Sequence, residues 1–140
     1  MMIIDVANAH PGYRRRRKVI QEIIRRVLKN ERRRQADLGV VFIDDRRMRS
    51  LNAAYLKHNF PTDVLSFPLS SPHARLLEGE IYVNLDQARR QAREFSVTFA
   101  NEVHRLVIHG TLHLLGYDDR TTTTRLRMTR KEDLYLKGYE

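Results

Sequence analysis

His109-Gly110-Thr111-Leu112-His113-Leu114-Leu115-Gly116-Tyr117-Asp118-Asp119 is the stretch around which the rest of the chain can be read. Residues four apart on a helix share a face, with Cβ atoms about 5–6 Å apart. His109 and His113 therefore stand side by side, where two imidazoles can reach one cation. The apolar residues Val103, Leu106, Val107, Ile108, Leu112, Leu114 and Leu115 suit a largely buried helix. Gly116 follows the second His by three positions, where a helix commonly stops in a left-handed turn. The chain can then fold back and bring Asp119 towards the imidazoles as a third ligand. Two His at helical spacing are by themselves ordinary in a packed core; the Gly stop and the Asp favour a metal site. Three protein ligands with a fourth position open make such a site catalytic rather than structural.

The order His, three residues, His, five residues, Asp matches every ligand position of the metzincin pattern. The Glu that follows the first His in that pattern is absent, because position 110 is Gly. Proton transfer would fall to another group, and the candidates are Asp63, Glu80, Asp118 and His104. Two of them have a plainer reading: a helix cap or turn former for Asp63, a strand-surface charge for Glu80. His104 lies about 140° around the helix from His109, a poor position for a ligand. Glu102, two turns back on the His109 face, could orient a ligand or simply cap the helix. Ser66 could line the cleft. With no Cys in the chain, a metal must use His and carboxylates. One transition metal ion is expected, zinc first for imidazole ligation, with the carboxylate admitting Mn, Ni or Fe more readily.

At 140 residues the chain is one domain with a sizeable core. Its net charge of +9 is confined to one segment. Between Arg14 and Arg34 lie eleven Lys or Arg against only Glu22 and Glu31; the remainder balances at fifteen basic and fifteen acidic residues. The clusters Arg14, Arg15, Arg16, Arg17, Lys18 and Arg32, Arg33, Arg34 flank an amphipathic helix, and a polyanion such as RNA is the natural partner. The bland alternative is a solvated helix face. No apolar run approaches membrane-spanning length and no signal-peptide pattern opens the chain, so a cytoplasmic protein without a membrane partner is expected.

Outward from the central stretch the elements alternate. Residues 2–7 read as a strand, and about 13–31 as a helix in which Val19/Ile20, Ile23/Ile24 and Val27/Leu28 recur. Residues 38–43 form an almost continuously apolar strand, expected in the middle of a sheet. Asp44 or Asp45 could cap a helix running to Tyr55. Pro61 blocks its continuation. Strands 64–69 and 79–84 most simply form a hairpin. A helix opens at 86, the metal-site helix follows the break at 95–98, and Thr121 to Thr124 caps the last helix, which ends near Gly138. The order βαβαββααα predicts a single-domain α+β fold, helices packed on a small mixed sheet with a zincin-like metal-site helix.

Three blocks resemble one family. His109–Asp118 is similar to the His-Gly-x-Leu-His-Leu-x-Gly-Tyr-Asp segment of the YbeY family, Pro61–Pro68 to its Thr-Asp-Val-Leu-Ser-Phe-Pro signature, and Gly79–Asn84 to its Gly-Asp-Ile-x-Ile-Ser strand. The blocks stand in family order and the resemblance spans nearly the whole chain. It implies a single-strand-specific, metal-dependent endoribonuclease over residues 1–140. The implied task is rRNA processing, maturation of the small-subunit rRNA 3′ end included, and the implied partner is rRNA or a ribosomal particle. Two departures stand out: the family usually has His where this chain has Asp119, and Arg where it has Leu56, with Lys57 and His58 the cations at hand. These favour an alternative, an RNA-binding ribosome-assembly factor with weakened catalysis; the metzincin-like spacing leaves a third, a metallohydrolase of another substrate.

Overall fold

The computed structural model describes residues 1–56 and 62–140; Lys57 and His58 lie outside the described residues. Four strands, β1 (Met2–Asn8), β2 (Ala36–Ile43), β3 (Val64–Pro68) and β4 (Leu77–Asn84), form one sheet in the order β1-β2-β4-β3. β1 and β4 each run parallel to β2, and β3 pairs antiparallel with β4. The expected hairpin is thus present, β2 lies inside the sheet, and the sheet is mixed. Alternation decides its faces: Leu77, Ile81 and Val83 are buried, while Glu78, Glu80 and Tyr82 between them are half-buried on the other side.

Five helices complete the described residues: α1 (Arg17–Asn30), α2 (Asp45–Leu51), α3 (Leu85–Glu94), α4 (Phe99–Leu114) and α5 (Thr122–Leu136), with one π turn over Asn52–Leu56 after α2. The helix predicted from residue 13 begins only at Arg17. Asn8 explains the delay: its side chain accepts from the Arg15 N–H at 2.8 Å and donates to the Arg15 carbonyl at 3.1 Å, holding that segment extended beside β1. Asp44 rather than Asp45 caps α2, accepting from the Arg47 N–H. Asn84 caps α3 and Thr98 caps α4. Thr121 and Thr124 cap α5 reciprocally.

The core has two parts, and α4 belongs to both. Ile20, Ile24 and Leu28 of α1 with Val103, Leu106, Val107 and Leu114 of α4 pack on Leu38, Val40, Phe42, Ile81 and Val83 of the sheet. Ile108 and Leu112, on the far side of α4, join Ile23 and Val27 of α1 and Met128, Tyr135 and Leu136 of α5. Gly110 is a close approach between α4 and the sheet, where a Cβ would stand 2.7 Å from Ile81 Cγ2 and 3.2 Å from Ser66 Oγ. Ser66 itself donates to the Gly110 carbonyl at 2.9 Å.

Glu31, just past α1, ties the second part together: it accepts from the hydroxyls of Tyr117 and Tyr135 and from Lys131. Burial alone would raise its carboxyl, but these hydrogen bonds and the Lys131 charge outweigh burial and hold it below the usual Glu range. A carboxyl lowered in the folded state stabilises above its unfolded value, and that stability is lost as pH falls through the folded one. Glu31→Gln is therefore expected to cost about 1.5–3 kcal/mol at pH 7. Denaturant titrations should show the difference from the parent shrinking below pH 4, and an unchanged difference would place the stabilisation elsewhere.

Candidate metal centre

α4 ends where its sequence says it should. Leu115 closes the helix, Gly116 takes φ +100°, and the Gly116 and Tyr117 N–H groups bond back to the carbonyls of His113 and Leu112. A residue with a Cβ would be strained there. The reversal carries Asp119 back over the two histidines, as the spacing predicts.

His109 Nε2 and His113 Nε2 lie 3.1 Å apart, and Asp119 Oδ2 lies 3.7 Å from the first and 3.9 Å from the second. Among the described residues these three side chains form the one group whose ligand atoms all fall within 4.8 Å of one another and could hold a metal ion. Ligand atoms about 2.0–2.1 Å from a tetrahedral ion sit about 3.3–3.4 Å from each other. The observed spacings bracket that value, so the donor set fits an ion such as zinc with only small side-chain adjustment. All three are partly open, Asp119 most. They face a cleft of about 460 Å³ walled by Asp63, Val64 and Ser66 at the β3 edge.

The residue that orients the site is Glu132, on α5, which the sequence reading missed. Its Oε2 stands 2.6 Å from His109 Nδ1, so the ring presents Nε2 to the cleft. Burial alone would lower His109; the Glu132 hydrogen bond and the Glu132, Asp119 and Asp63 charges reverse that and raise it. His113 moves the other way, lowered by burial and by its neighbour His109. A signal existed. Met128, Glu132, Tyr135 and Leu136 share the buried side of α5, and an acid among core residues invites the question of its partner.

The remaining sequence candidates sort themselves by position. Asp63 borders the cleft beside His109, with Oδ1 taken by the Val64 N–H at 2.7 Å. Glu80 takes its plainer reading as a strand-surface charge: its strand alternates with Ile81, which packs against α4, so Glu80 belongs to the opposite side of the sheet, near Gly39. His104 is turned away from the ligand pair, as its angle around the helix predicts, and as a proton-transfer candidate it falls away, being buried and bound through Nδ1 to the Tyr139 carbonyl at 2.6 Å. Glu102 is buried and accepts from Gln91 at 2.7 Å, and it does not reach the histidines as their orienting acid. Asp118 holds the turn by accepting from the Arg120 N–H. Position 110, where a metzincin carries its Glu, is packed against Ile81, Ser66 and Val64, and a Cβ there would stand 2.7 Å from Ile81 Cγ2, so a larger side chain would force the helix and sheet apart.

The basic segment divides likewise. Arg14, Arg16, Arg17, Lys18, Arg32 and Arg34 are exposed. Arg15 is half-buried with its guanidinium 5.0 Å from the Phe99 ring centre. Arg33 donates to the carbonyls of Pro72 and Ala74, pinning the β3–β4 connection.

A mixed four-stranded sheet, a buried helix bearing two histidines on its open side and a carboxylate returned by a glycine turn define an α+β protein with a His-His-Asp group that could hold a metal ion. Among known proteins, the profile of the family Endoribonuclease YbeY matches residues 6–140. The Endoribonuclease YbeY of Chloroherpeton thalassium is 39% identical over 117 residues, covering 84% of this chain and 82% of its own. That of Salinibacter ruber is 36% identical over 142 residues, covering 96% and 90%. The solution structure of TM1509 from Thermotoga maritima aligns with a TM-score of 0.70 at 30% identity, covering 96% of this chain and 87% of that one. The chain belongs to the YbeY family.

Proposed function

We propose that residues 1–140 act as one cytoplasmic, metal-dependent endoribonuclease domain that cuts single-stranded RNA and matures the 3′ end of small-subunit rRNA. The observation that carries this reading is the convergence of His109 Nε2, His113 Nε2 and Asp119 Oδ2 on one point of an open cleft, in a chain of this family. His109, His113 and Asp119 hold one transition metal, zinc first. The ion supplies Lewis acidity towards a phosphodiester. Glu132 keeps Nδ1 of His109 engaged so that Nε2 is free. Asp63, with its second oxygen available beside His109, is the proton acceptor in the cleft. The test is cleavage of a single-stranded RNA by purified protein with and without chelator, followed by re-addition of zinc, manganese or magnesium. Cleavage should vanish on chelation and return with one of these; cleavage indifferent to chelator would sink the metal role.

The exposed basic residues at the end of α1 support the RNA reading. Arg33 bonds Pro72, and Pro72 meets Gly116, so Arg32 and Arg34 sit near the turn that carries Asp119. The Arg14–Lys18 cluster lies at the other end of a 14-residue helix, about 21 Å away. Gln at both Arg32 and Arg34 should weaken RNA binding and flatten the log Kd against log salt slope by about 0.7 per lost phosphate contact. Arg33→Gln is not equivalent, because its guanidinium serves the loop. An unaltered slope in the double variant would mean that these arginines only solubilise the protein. Among the described residues, no helix is long and apolar enough to cross a membrane.

A further inference from the structure

On the other side of His109 from the metal cleft lies a second cavity of about 430 Å³, within the range of ligand sites. His109 and Asp63 border both, so the two cavities adjoin across these side chains. Glu102 lies against this cavity and is 3% exposed. Its Oε2 accepts from Gln91 Nε2 at 2.7 Å, and among the described residues its Oε1 has no hydrogen-bond donor. Asn101, which also lines the space, makes no side-chain hydrogen bond among those residues, and Arg105 lines it with its guanidinium partly engaged by Glu132 and Asp133. At the rim, Phe95 is 56% exposed and Val97 37%. Ser96 between them takes φ +56°, a left-handed position usually given to Gly, and this turn presents both apolar side chains at the rim.

A flat apolar lip over a polar floor, next to a centre for phosphodiester chemistry, is the form of a nucleobase pocket. The floor's chemistry selects among bases. Guanine alone offers two adjacent donors, N1–H and the N2 amino group, to one carboxylate, with O6 beside them as an acceptor. Adenine N1 and cytosine N3 would meet the Glu102 carboxylate lone pair to lone pair, and uracil has a single donor. We propose that this cavity is a guanine-selecting subsite for the nucleotide flanking the cleaved bond: Glu102 accepts from N1–H and N2–H, Asn101 or Arg105 donates to O6, and Phe95 stacks on the ring. The inference rests on the reading of the chain as an enzyme acting on RNA, and it adds a base preference to it.

Calorimetric titration of the metal-loaded full chain with GMP, IMP, AMP, CMP and UMP isolates the base, since the phosphate is common to all. GMP should bind about tenfold more tightly than AMP, CMP or UMP, and IMP, which lacks the N2 amino group, should fall between. Glu102→Gln, close to isosteric, should erase the preference with little change in the others' affinity. Phe95→Ala, at an exposed site that does not threaten folding, should weaken all five alike. Equal affinities in the parent, or a GMP preference that survives Glu102→Gln in a folded protein, would overturn the subsite. A uridine tract with one internal guanosine separates this from the broader reading. Cleavage beside the guanosine supports both. Cleavage spread evenly along the tract overturns the subsite and leaves the ribonuclease standing. GMP selectivity without any RNA cleavage keeps the subsite and removes the ribonuclease.

Discussion

His113→Ala is expected to lose the metal and, with it, RNA cleavage to the limit of detection. Three ligands are the least that a catalytic zinc site uses, and removing an imidazole leaves one nitrogen and one exposed carboxylate. Metal analysis after gel filtration should show the ion gone while circular dichroism remains that of the parent, because His113 is partly exposed. His104→Ala is the matched control. It removes a histidine from the same helix and breaks the bond to the Tyr139 carbonyl, so it should lower Tm yet keep the ion. Asp119→Ala should retain structure and bind metal weakly; Asp119→His, which rebuilds a three-imidazole set, should restore binding. An ion held at full stoichiometry by the His113 or Asp119 alanine variant would remove the ligand set as drawn.

Glu132→Ala is the second large effect, and the chain's linear order gives no hint of it. Acids that hold a ligating histidine typically account for 10–100-fold in metal affinity, and about that loss is expected here. Glu132 touches no substrate in this scheme; it positions His109, so its signature is metal affinity measured by competition with a chromophoric chelator. It also bridges α5 to Arg105 of α4 at 3.2 Å, although Asp133 keeps a second contact with Arg105 at 2.7 Å. If Glu132 were only a tie between helices, the alanine variant would melt lower with its metal dissociation constant unchanged. Glu132→Gln, which retains an acceptor without the charge, should fall between parent and alanine.

Local rules account for much of this molecule. Periodicity of 3.6 identifies the buried helix 99–114, and a glycine three residues past His113 sets its end, because only glycine adopts φ +100° freely. The i, i+4 relation then puts two imidazoles together with no knowledge of the fold. Apolar continuity marks β2 as interior, and short polar spacing marks β3 and β4 as a hairpin. The family resemblance came from three such local blocks, and the match over residues 6–140 agrees with it.

What only the tertiary structure decides is which residues meet across elements. Glu132 is 23 positions from His109 and reaches it because α5 packs on the far side of α4; no helical or strand period relates them. Register within the sheet sends Glu80 away from the cleft, since a strand's faces alternate and the neighbouring Ile81 took the helix side. Packing density makes position 110 a point of contact with Ile81, where the sequence showed only a catalytic Glu missing. Asn8 delays α1 by clasping Arg15, a hydrogen bond between segments that propensity does not see. Arginine counting could not tell Arg33, spent on two loop carbonyls, from Arg32 and Arg34 beside it. Short-range geometry set the histidine pair and its turn; the acid that orients it, and the cavity beside it, exist only once α5 and the sheet have closed around α4.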